Sequence, residues 1–269
     1  MHAESYIEEE LAYNEYTEKA VKKALRTIKK EVDQDKLNIL DVGCGPGGHL
    51  SLFEEVFDEV KVTGIDLSEK HVHYAEKVSD KADINAEMVL ADINKDCSLE
   101  EKFDVVWCAD VLSLNTVKIE RLVGNLKENL TKDSVFVVFN GNWLQQEVMQ
   151  EYQSIESEIR AIRAKEYKNS GNNFFSEVLD QLRYEFSEVR LHQFPVTIEK
   201  EELSGKTLQY LKNTFKKYRK IAQKSDRLKE EELALLEDIM EESSENFLLE
   251  KPGYYARINP LMVVARVSK

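Results

Sequence analysis

A short glycine-rich turn constrains the fold of this chain more than any other feature. It comprises residues 40–48, with the sequence LDVGCGPGG, and lies between an apolar strand pattern and an amphipathic helix pattern. Small residues in so short a turn let backbone N–H groups approach a ligand closely, and a helix N-terminus follows directly. The segment therefore predicts a pocket for a nucleotide-like molecule at the end of a first strand.

The glycine spacing alone leaves two ligand classes open. Gly43, Gly45 and Gly48 also satisfy the G-x-G-x-x-G pattern of dinucleotide-binding folds. Asp41 argues against a dinucleotide, because its carboxylate would repel a pyrophosphate placed over the loop. A ligand with a cationic amino-acid tail would be attracted instead. S-adenosylmethionine carries a sulfonium and an ammonium group and no phosphate, so it is favoured over a nicotinamide cofactor.

The pattern along the chain predicts a parallel sheet with both faces covered by helices. The first thirty residues read as a helix, because apolar residues recur at steps of three and four. Strands are predicted near 38–42, 59–65, 86–91, 103–109 and 134–140. Helices are predicted near 47–57, 68–81 and 115–129, the second of them capped by Ser68.

The second half of the chain is predicted to be richer in helices. The expected elements are a long helix over 144–162, a break at 169–173, a helix over 174–186, a strand over 189–196, helices over 203–218 and 233–240, and a final strand over 261–267. The helices between the last two strands interrupt a strand pair that would close the sheet. We interpret them as a lid or substrate-selecting cap, with a purely structural elaboration as the alternative.

Four segments, in order, resemble the motifs of the class I S-adenosylmethionine-dependent methyltransferases. They are residues 40–47, 62–68 (VTGIDLS), 88–93 (MVLADI) and 103–112 (FDVVWCADVL). The resemblance implies an α/β fold with a doubly wound, seven-stranded, mostly parallel Rossmann-like sheet whose last strand is antiparallel. It implies three regions: an N-terminal helical cover (1–36), the S-adenosylmethionine-binding core (37–145), and a C-terminal part (146–269) with a helical insertion at about 199–250.

The resemblance also implies which residues hold the cofactor. Gly43, Cys44, Gly45 and Gly47 would line its methionine portion through backbone groups, and Asp41 would stabilise its ammonium group through water or loop amides.

Later motifs would hold the adenosine. Asp66 would accept hydrogen bonds from both ribose hydroxyls, and Leu67 would pack on the adenine. Asp92 would accept from the adenine amino group beside Ile93, and Cys108 would offer its backbone carbonyl near the cofactor amine.

Methyl transfer from a sulfonium needs aligned reactants more than an acid or a base. Histidines that small-molecule methyltransferases often carry are absent at Ser113 and Leu114. The remaining polar candidates are Asp110, Asn142 and Tyr254. For each of them we prefer a role in lining the pocket over a role as a catalytic acid or base. No Cys or His pair has zinc-site spacing, and His71 and His73 are expected to be ordinary surface residues.

Composition narrows the partners. The net charge of −14 disfavours nucleic acid, although a basic cluster at 212–224 keeps an RNA or acidic partner open. No apolar run is long enough to span a membrane, and the first residues do not resemble a secretion signal. Two of the three cysteines fall in cofactor motifs, which makes a disulfide framework unlikely. A reducing cytoplasm is therefore the expected location.

The predicted function is S-adenosylmethionine-dependent methyl transfer to an oxygen or nitrogen of a small molecule. The alternatives are an RNA or protein methyltransferase, and a non-catalytic module that binds the cofactor and a partner. The sequence leaves the acceptor and the oligomeric state open.

Overall fold

A computed structural model describes residues 3–32, 34–95, 99–112, 117–142, 145–166, 174–203 and 205–266 of the chain. Its strands are β1 (Lys36–Val42), β2 (Glu59–Asp66), β3 (Ala86–Leu90), β4 (Phe103–Ala109), β5 (Leu130–Asn140), β6 (Glu188–Gln193), β7 (Val196–Glu199), β8 (Tyr255–Ile258) and β9 (Leu261–Arg266). Its helices are α1 (Ala3–Glu31), α2 (Leu50–Val56), α3 (Glu69–Ala82), α4 (Ile119–Leu126), α5 (Gln153–Glu166), α6 (Phe174–Glu185), α7 (Gly205–Gln223) and α8 (Glu230–Met240).

The central sheet has seven strands in the order β3-β2-β1-β4-β5-β9-β6. Strands β1 to β5 pair in parallel, whereas β9 is antiparallel to both of its neighbours, β5 and β6. The strand order reverses beside β1, where open α/β sheets bind their ligands at the carboxyl ends of the strands. The doubly wound fold predicted from the motifs is confirmed.

Alternating strand residues build two cores, one on each face of the sheet. On β1, Ile39 packs in the core that includes α1 and α2, whereas Leu40 packs in the core that includes α4 and α6. Helix α1 presents Val21, Leu25 and Ile28, all fully buried, to the first core. Apolar residues therefore recur with a period of two along the strands and of 3.6 along the helices because those positions are the buried ones.

The predicted long helix over 144–162 is wrong. Helix α5 starts only at Gln153, after a 3-10 turn at Gln150–Tyr152. The N–H groups of Val148 and Met149 donate to the buried carboxylate of Glu156, at 3.0 and 3.1 Å, instead of to a helical carbonyl. The apolar spacing before residue 153 thus reflects tertiary burial. Leu144 and the predicted break at 169–173 lie outside the described residues.

The strand predicted over 189–196 is two strands. Pro195, which has no N–H to donate, separates β6 in the main sheet from β7, and β7 pairs with β8 in a second, two-stranded sheet.

Two helices begin later than the sequence predicted. Helix α2 begins at Leu50 because turns occupy 46–49, and α4 begins at Ile119. Ser113 and Leu114 lie outside the described residues.

Candidate functional site

A cleft of about 430 Å³ opens at the carboxyl ends of β1, β2 and β4. Helix α1 and the first turn of α3 complete its walls. Its described lining residues are Tyr6, Glu10, Tyr13, Asn14, Val42, Gly43, Cys44, Gly45, Pro46, His49, Ile65, Asp66, Leu67, Ser68, His71, Ala91, Asp92, Ile93, Asn94, Ala109, Asp110, Val111 and Val117. Its size suits a small organic ligand.

The glycine loop forms the floor of the cleft. Gly43 and Gly45 have left-handed φ angles of 68° and 54°, which favour glycine. A Cβ on Gly43 would lie 2.2 Å from Cγ2 of Val111, so a side chain there would also collide with the opposite wall. The loop is therefore a cradle for close backbone approach.

Asp66 ends β2 and is held firmly in place. Its Oδ2 accepts from the N–H of Gly45 at 3.0 Å, and its Oδ1 accepts from the N–H of Ser68 at 2.8 Å. Burial opposes ionisation, but hydrogen bonds from His71 and these two amides outweigh it and lower the pKa of Asp66. An ionised carboxylate thus stands at the tip of β2.

His71 is not the ordinary surface residue that the sequence predicted. Ser68 caps α3 as expected and places His71 in the first turn, where its side chain is only 12% exposed. Its Nδ1 lies 3.3 Å from Asp66 Oδ1 and its Nε2 lies 3.1 Å from Glu10 Oε2. Hydrogen bonds to Asp66 and then to Glu10 raise the pKa of His71 to about 10. His73 is 65% exposed, as expected.

Asp110 and Tyr13 meet at the opposite side of the cleft. The Tyr13 hydroxyl donates to Asp110 Oδ2 at 2.9 Å, and the N–H of Gly141 donates to Oδ1 at 2.9 Å. Burial raises the pKa of Asp110 to about 6, although both hydrogen bonds work against this shift. Such a carboxylate can hold or accept a proton near neutral pH.

The other predicted cofactor residues divide into two groups. Gly43, Cys44, Gly45, Asp66, Leu67, Asp92 and Ile93 all line the cleft. Asp41, Gly47 and Cys108 lie outside this lining set.

Asp41 lies deeper, at the end of β1, and is only 2% exposed. Its Oδ2 has no hydrogen-bond partner among the described residues. Burial, followed by the charge of Asp66, raises the pKa of Asp41 to about 8.

Two of the three catalytic candidates lie away from the cleft. Tyr254 is fully buried and its hydroxyl donates to the carbonyl of Val148 at 2.9 Å. Asn142 donates to the carbonyl of Asn259 at 3.1 Å. Neither lines the cleft, whereas Asp110 does.

Sequence reasoning missed part of the wall that α1 supplies. Glu10 and Asn14 lie on the same face of α1 as Tyr6 and Tyr13, and all four residues line the cleft. The spacing of these four residues at i, i+4, i+7 and i+8 is a usable signal, because such positions share one face.

His49 was missed as well. Its Nδ1 accepts from Nε1 of the buried Trp107 at 3.3 Å, and burial lowers the pKa of His49 to about 4. Its position directly after the glycine loop was the available signal.

The insertion does not reach the cleft itself: no lining residue among those described comes from 199–250. It supports α1 from behind, with the Tyr210 ring 4.5 Å from that of Tyr16 and 5.5 Å from that of Tyr13.

Within the described ranges, no group of three metal-ligating side chains occurs, and no helix is long and apolar enough to cross a bilayer.

A family model described as a methyltransferase domain matches residues 33–209. The chain belongs to this family. The match spans the glycine loop and every strand tip around the cleft, so it confirms the resemblance and S-adenosylmethionine as the cofactor.

Curated relatives match only part of the chain. Ribosomal RNA small subunit methyltransferase G of Thermoanaerobacter pseudethanolicus is 28% identical over 129 residues, which are 46% of this chain and 52% of the relative. (S)-tetrahydroprotoberberine N-methyltransferase of Eschscholzia californica is 26% identical over 106 residues, 39% of this chain and 30% of the relative. The chain thus spans about half of the first relative's length.

Solved structures share the fold over most of the chain. A candidate methyltransferase from Bacillus halodurans C-125 has a TM-score of 0.51 at 17% identity and covers 91% of this chain and 99% of its own. The YcgJ protein of Bacillus subtilis also has a TM-score of 0.51, at 10% identity, and covers 91% and 98%.

Proposed function

We propose that the protein transfers a methyl group from S-adenosylmethionine to an oxygen or nitrogen of a small molecule. The observation that carries this proposal is the wall that helix α1 forms along one side of the cleft. Helix α1 lies across the strand tips and brings Tyr13 to within 2.9 Å of Asp110. A cleft walled on that side by a helix accommodates a small acceptor more readily than a long polymer.

The residues present fit the cofactor. The glycine loop lets a ligand approach its backbone, Asp66 offers an ionised acceptor for ribose hydroxyls, and Asp92 stands at the tip of β3 near Ile93. Asp41 lies buried with an unpartnered Oδ2 at the end of β1, and a cationic ammonium group bound nearby would favour its ionised form. When bound, S-adenosylmethionine supplies a methyl group attached to a positively charged sulfur.

The chain's own residues orient the acceptor and handle its proton. We assign Asp110 to accept the proton that an acceptor oxygen or nitrogen releases, because its carboxylate lines the cleft and its pKa lies near neutrality. Tyr13 and the N–H of Gly141 each donate to one of its oxygens and thereby fix its position. Helix α1 excludes water from this side of the cleft.

The charges of the walls favour neutral or cationic acceptors. Four carboxylates line the cleft, on Glu10, Asp66, Asp92 and Asp110, whereas no lysine or arginine occurs among its described lining residues. His71 also lines the cleft, but its ring nitrogens already face Glu10 and Asp66, so an anionic acceptor would meet an excess of negative charge. The N-methyltransferase relative is compatible with an amine acceptor.

The basic cluster on α7 gives little support to an RNA acceptor. Lys212 and Lys216 both pair with Glu242, at 2.6 and 3.3 Å. Lys217 pairs with Glu9, and Arg219 pairs with Glu237 and Glu241. Charges already neutralised by the protein attract phosphates weakly.

We also propose a cytoplasmic location, because the buried Cys44 and Cys108 are free thiols.

Cofactor binding provides the first test. Asp66→Ala should weaken binding of S-adenosylhomocysteine by about 2–4 kcal/mol, the value of one or two charge-assisted hydrogen bonds. Isothermal titration calorimetry measures the change, with Asp180→Ala, an exposed position on α6, as the control. Unchanged affinity in Asp66→Ala would show that the ribose assignment is wrong.

The acceptor class is tested with deuterated S-adenosylmethionine added separately to a small-molecule extract, to ribosomal and transfer RNA, and to a protein extract. Mass spectrometry should find label only among neutral or basic small molecules. Label in the RNA would instead support the activity of the ribosomal RNA relative. Binding without transfer to any pool would indicate a non-catalytic module.

A further inference from the structure

His71 joins two parts of the cleft that are far apart in sequence. One ring nitrogen faces Asp66 at the tip of β2, and the other faces Glu10 on α1. The imidazole also stacks on Tyr6, with 5.8 Å between ring centroids and 12° between planes. Two of its three partners therefore come from α1, and the third is the acid assigned to the ribose.

The arrangement favours a charged imidazole. Both ring nitrogens lie within ion-pair distance of a carboxylate oxygen, and carboxylates only accept, so a ring that carries hydrogen on both nitrogens suits the two contacts better than a neutral ring. The raised pKa of His71 agrees with this state at neutral pH. A doubly protonated ring between two carboxylates forms a bridge that a neutral side chain could not replace.

The bridge affects Asp66 directly. The N–H of Gly45 in the glycine loop already donates to one carboxylate oxygen of Asp66, and the N–H of Ser68 before α3 donates to the other. The imidazolium adds a positive charge on a third side, which keeps Asp66 ionised and limits its rotation. A carboxylate fixed in this way loses less conformational entropy when it accepts hydrogen bonds from hydroxyl groups.

We propose that His71 is a positioning residue that holds Asp66 for the donor's ribose and, through Glu10 and Tyr6, ties the first half of α1 over the cleft. Donor binding and coverage of the cleft by α1 are thereby coupled. This inference rests on the proposed function for the ribose contact, whereas the tie between His71 and α1 is independent of it.

The test compares His71→Asn with His73→Asn, an exposed histidine on the same helix. Without any ligand, hydrogen exchange over residues 6–15 should be at least fivefold faster in His71→Asn and unchanged in His73→Asn. Calorimetry should show S-adenosylhomocysteine binding at least tenfold weaker in His71→Asn and within twofold of the original protein in His73→Asn.

Two further variants separate positioning from simple loss of structure. His71→Lys keeps a positive charge and should recover most of the lost affinity, whereas a merely structural role would not be rescued. Glu10→Gln breaks only the α1 side, so it should speed exchange in α1 more than it weakens S-adenosylhomocysteine binding. Melting temperature confirms that each variant is folded.

Opposite results overturn the inference. It fails if His71→Asn leaves both exchange in α1 and S-adenosylhomocysteine affinity unchanged, or if His71→Lys is no better than His71→Asn. If the original protein binds no S-adenosylhomocysteine, the proposed function and the ribose role of His71 fail together. The exchange measurement then still decides whether His71 holds α1.

Discussion

At the scale of single residues, the cleft contains carboxylates in very different environments. Asp66 is ionised by its hydrogen bonds, Asp41 is buried without a partner for one oxygen, and Asp110 lies between these extremes. Asp110 also has a left-handed φ of 58°, which aspartate tolerates better than most residues. Environment, not residue type, therefore separates their roles.

Asp110 leads to a prediction about pH. If it accepts the acceptor's proton, kcat/KM should rise with pH through about 6, because only the ionised carboxylate can take up a proton. Asp110→Asn should remove this dependence and lower the rate by about 100-fold or more, with S-adenosylhomocysteine affinity unchanged. A pH profile that is the same in the original protein and the variant would contradict the assignment.

Asp41 leads to a prediction about stability. Its pKa is raised to about 8 in the folded protein, so the folded state binds its proton more tightly than the unfolded state. Stability should therefore fall as pH rises from about 4 to about 8. Asp41→Asn avoids this loss and should be more stable at pH 8 by about 1–3 kcal/mol. Urea unfolding at pH 5 and pH 8 measures it; a variant less stable than the original protein at pH 8 would refute the prediction.

At the scale of elements, α1 has two different halves. Its second half contributes the buried residues Val21, Leu25 and Ile28 to the core, whereas its first half lines the cleft with Tyr6, Glu10 and Tyr13. The first half makes direct contact with the glycine loop. A Cβ on Gly48 would lie 1.9 Å from Nδ2 of Asn14.

This contact predicts a coupled pair of substitutions. Gly48→Ala should destabilise the protein by about 1–3 kcal/mol through overpacking. Adding Asn14→Ala should recover about 0.5 kcal/mol or more, because the colliding group is removed. Gly124→Ala is the control: a Cβ there meets nothing within 4 Å, so it should stabilise α4 by about 0.5–1 kcal/mol. Purely additive effects of Gly48→Ala and Asn14→Ala would exclude the contact.

At the scale of the whole molecule, a buried network connects the C-terminal part to the core. Glu156 on α5 is fully buried and accepts from the N–H groups of Val148 and Met149. Tyr254 donates to the carbonyl of Val148, and Gln146 donates to the hydroxyl of Tyr218 on α7. The network fixes the irregular segment after β5 and the helices that support α1.

Glu156→Ala should destabilise the protein by about 2–5 kcal/mol, because it leaves two buried N–H groups without an acceptor. The control Glu158→Ala removes a half-exposed partner of Arg227 and should cost less than about 1 kcal/mol. Chemical unfolding followed by circular dichroism gives both values. Equal losses in the two variants would mean that the network contributes no more than a surface ion pair.

The sequence by itself determined the fold class, the approximate positions of the first five strands along the chain and the positions of Asp66, Asp92 and Asp110 at or just after strand ends. It could do so because these features depend on local spacing: apolar alternation, small residues in a tight turn and acids directly after strands. The parallel sheet then brings consecutive strand ends to one edge, whatever the distant parts of the chain do.

Only the tertiary structure decided the contacts of His71, the division of α1 and the start of α5 at residue 153. Each depends on a partner more than fifty residues away or on a side chain that replaces a backbone acceptor. The Glu10–His71 contact joins α1 to α3, and the Glu156 carboxylate takes N–H groups that a helix would have used. Such contacts leave no periodic trace in the sequence, because the energy that selects them arises only when the elements pack.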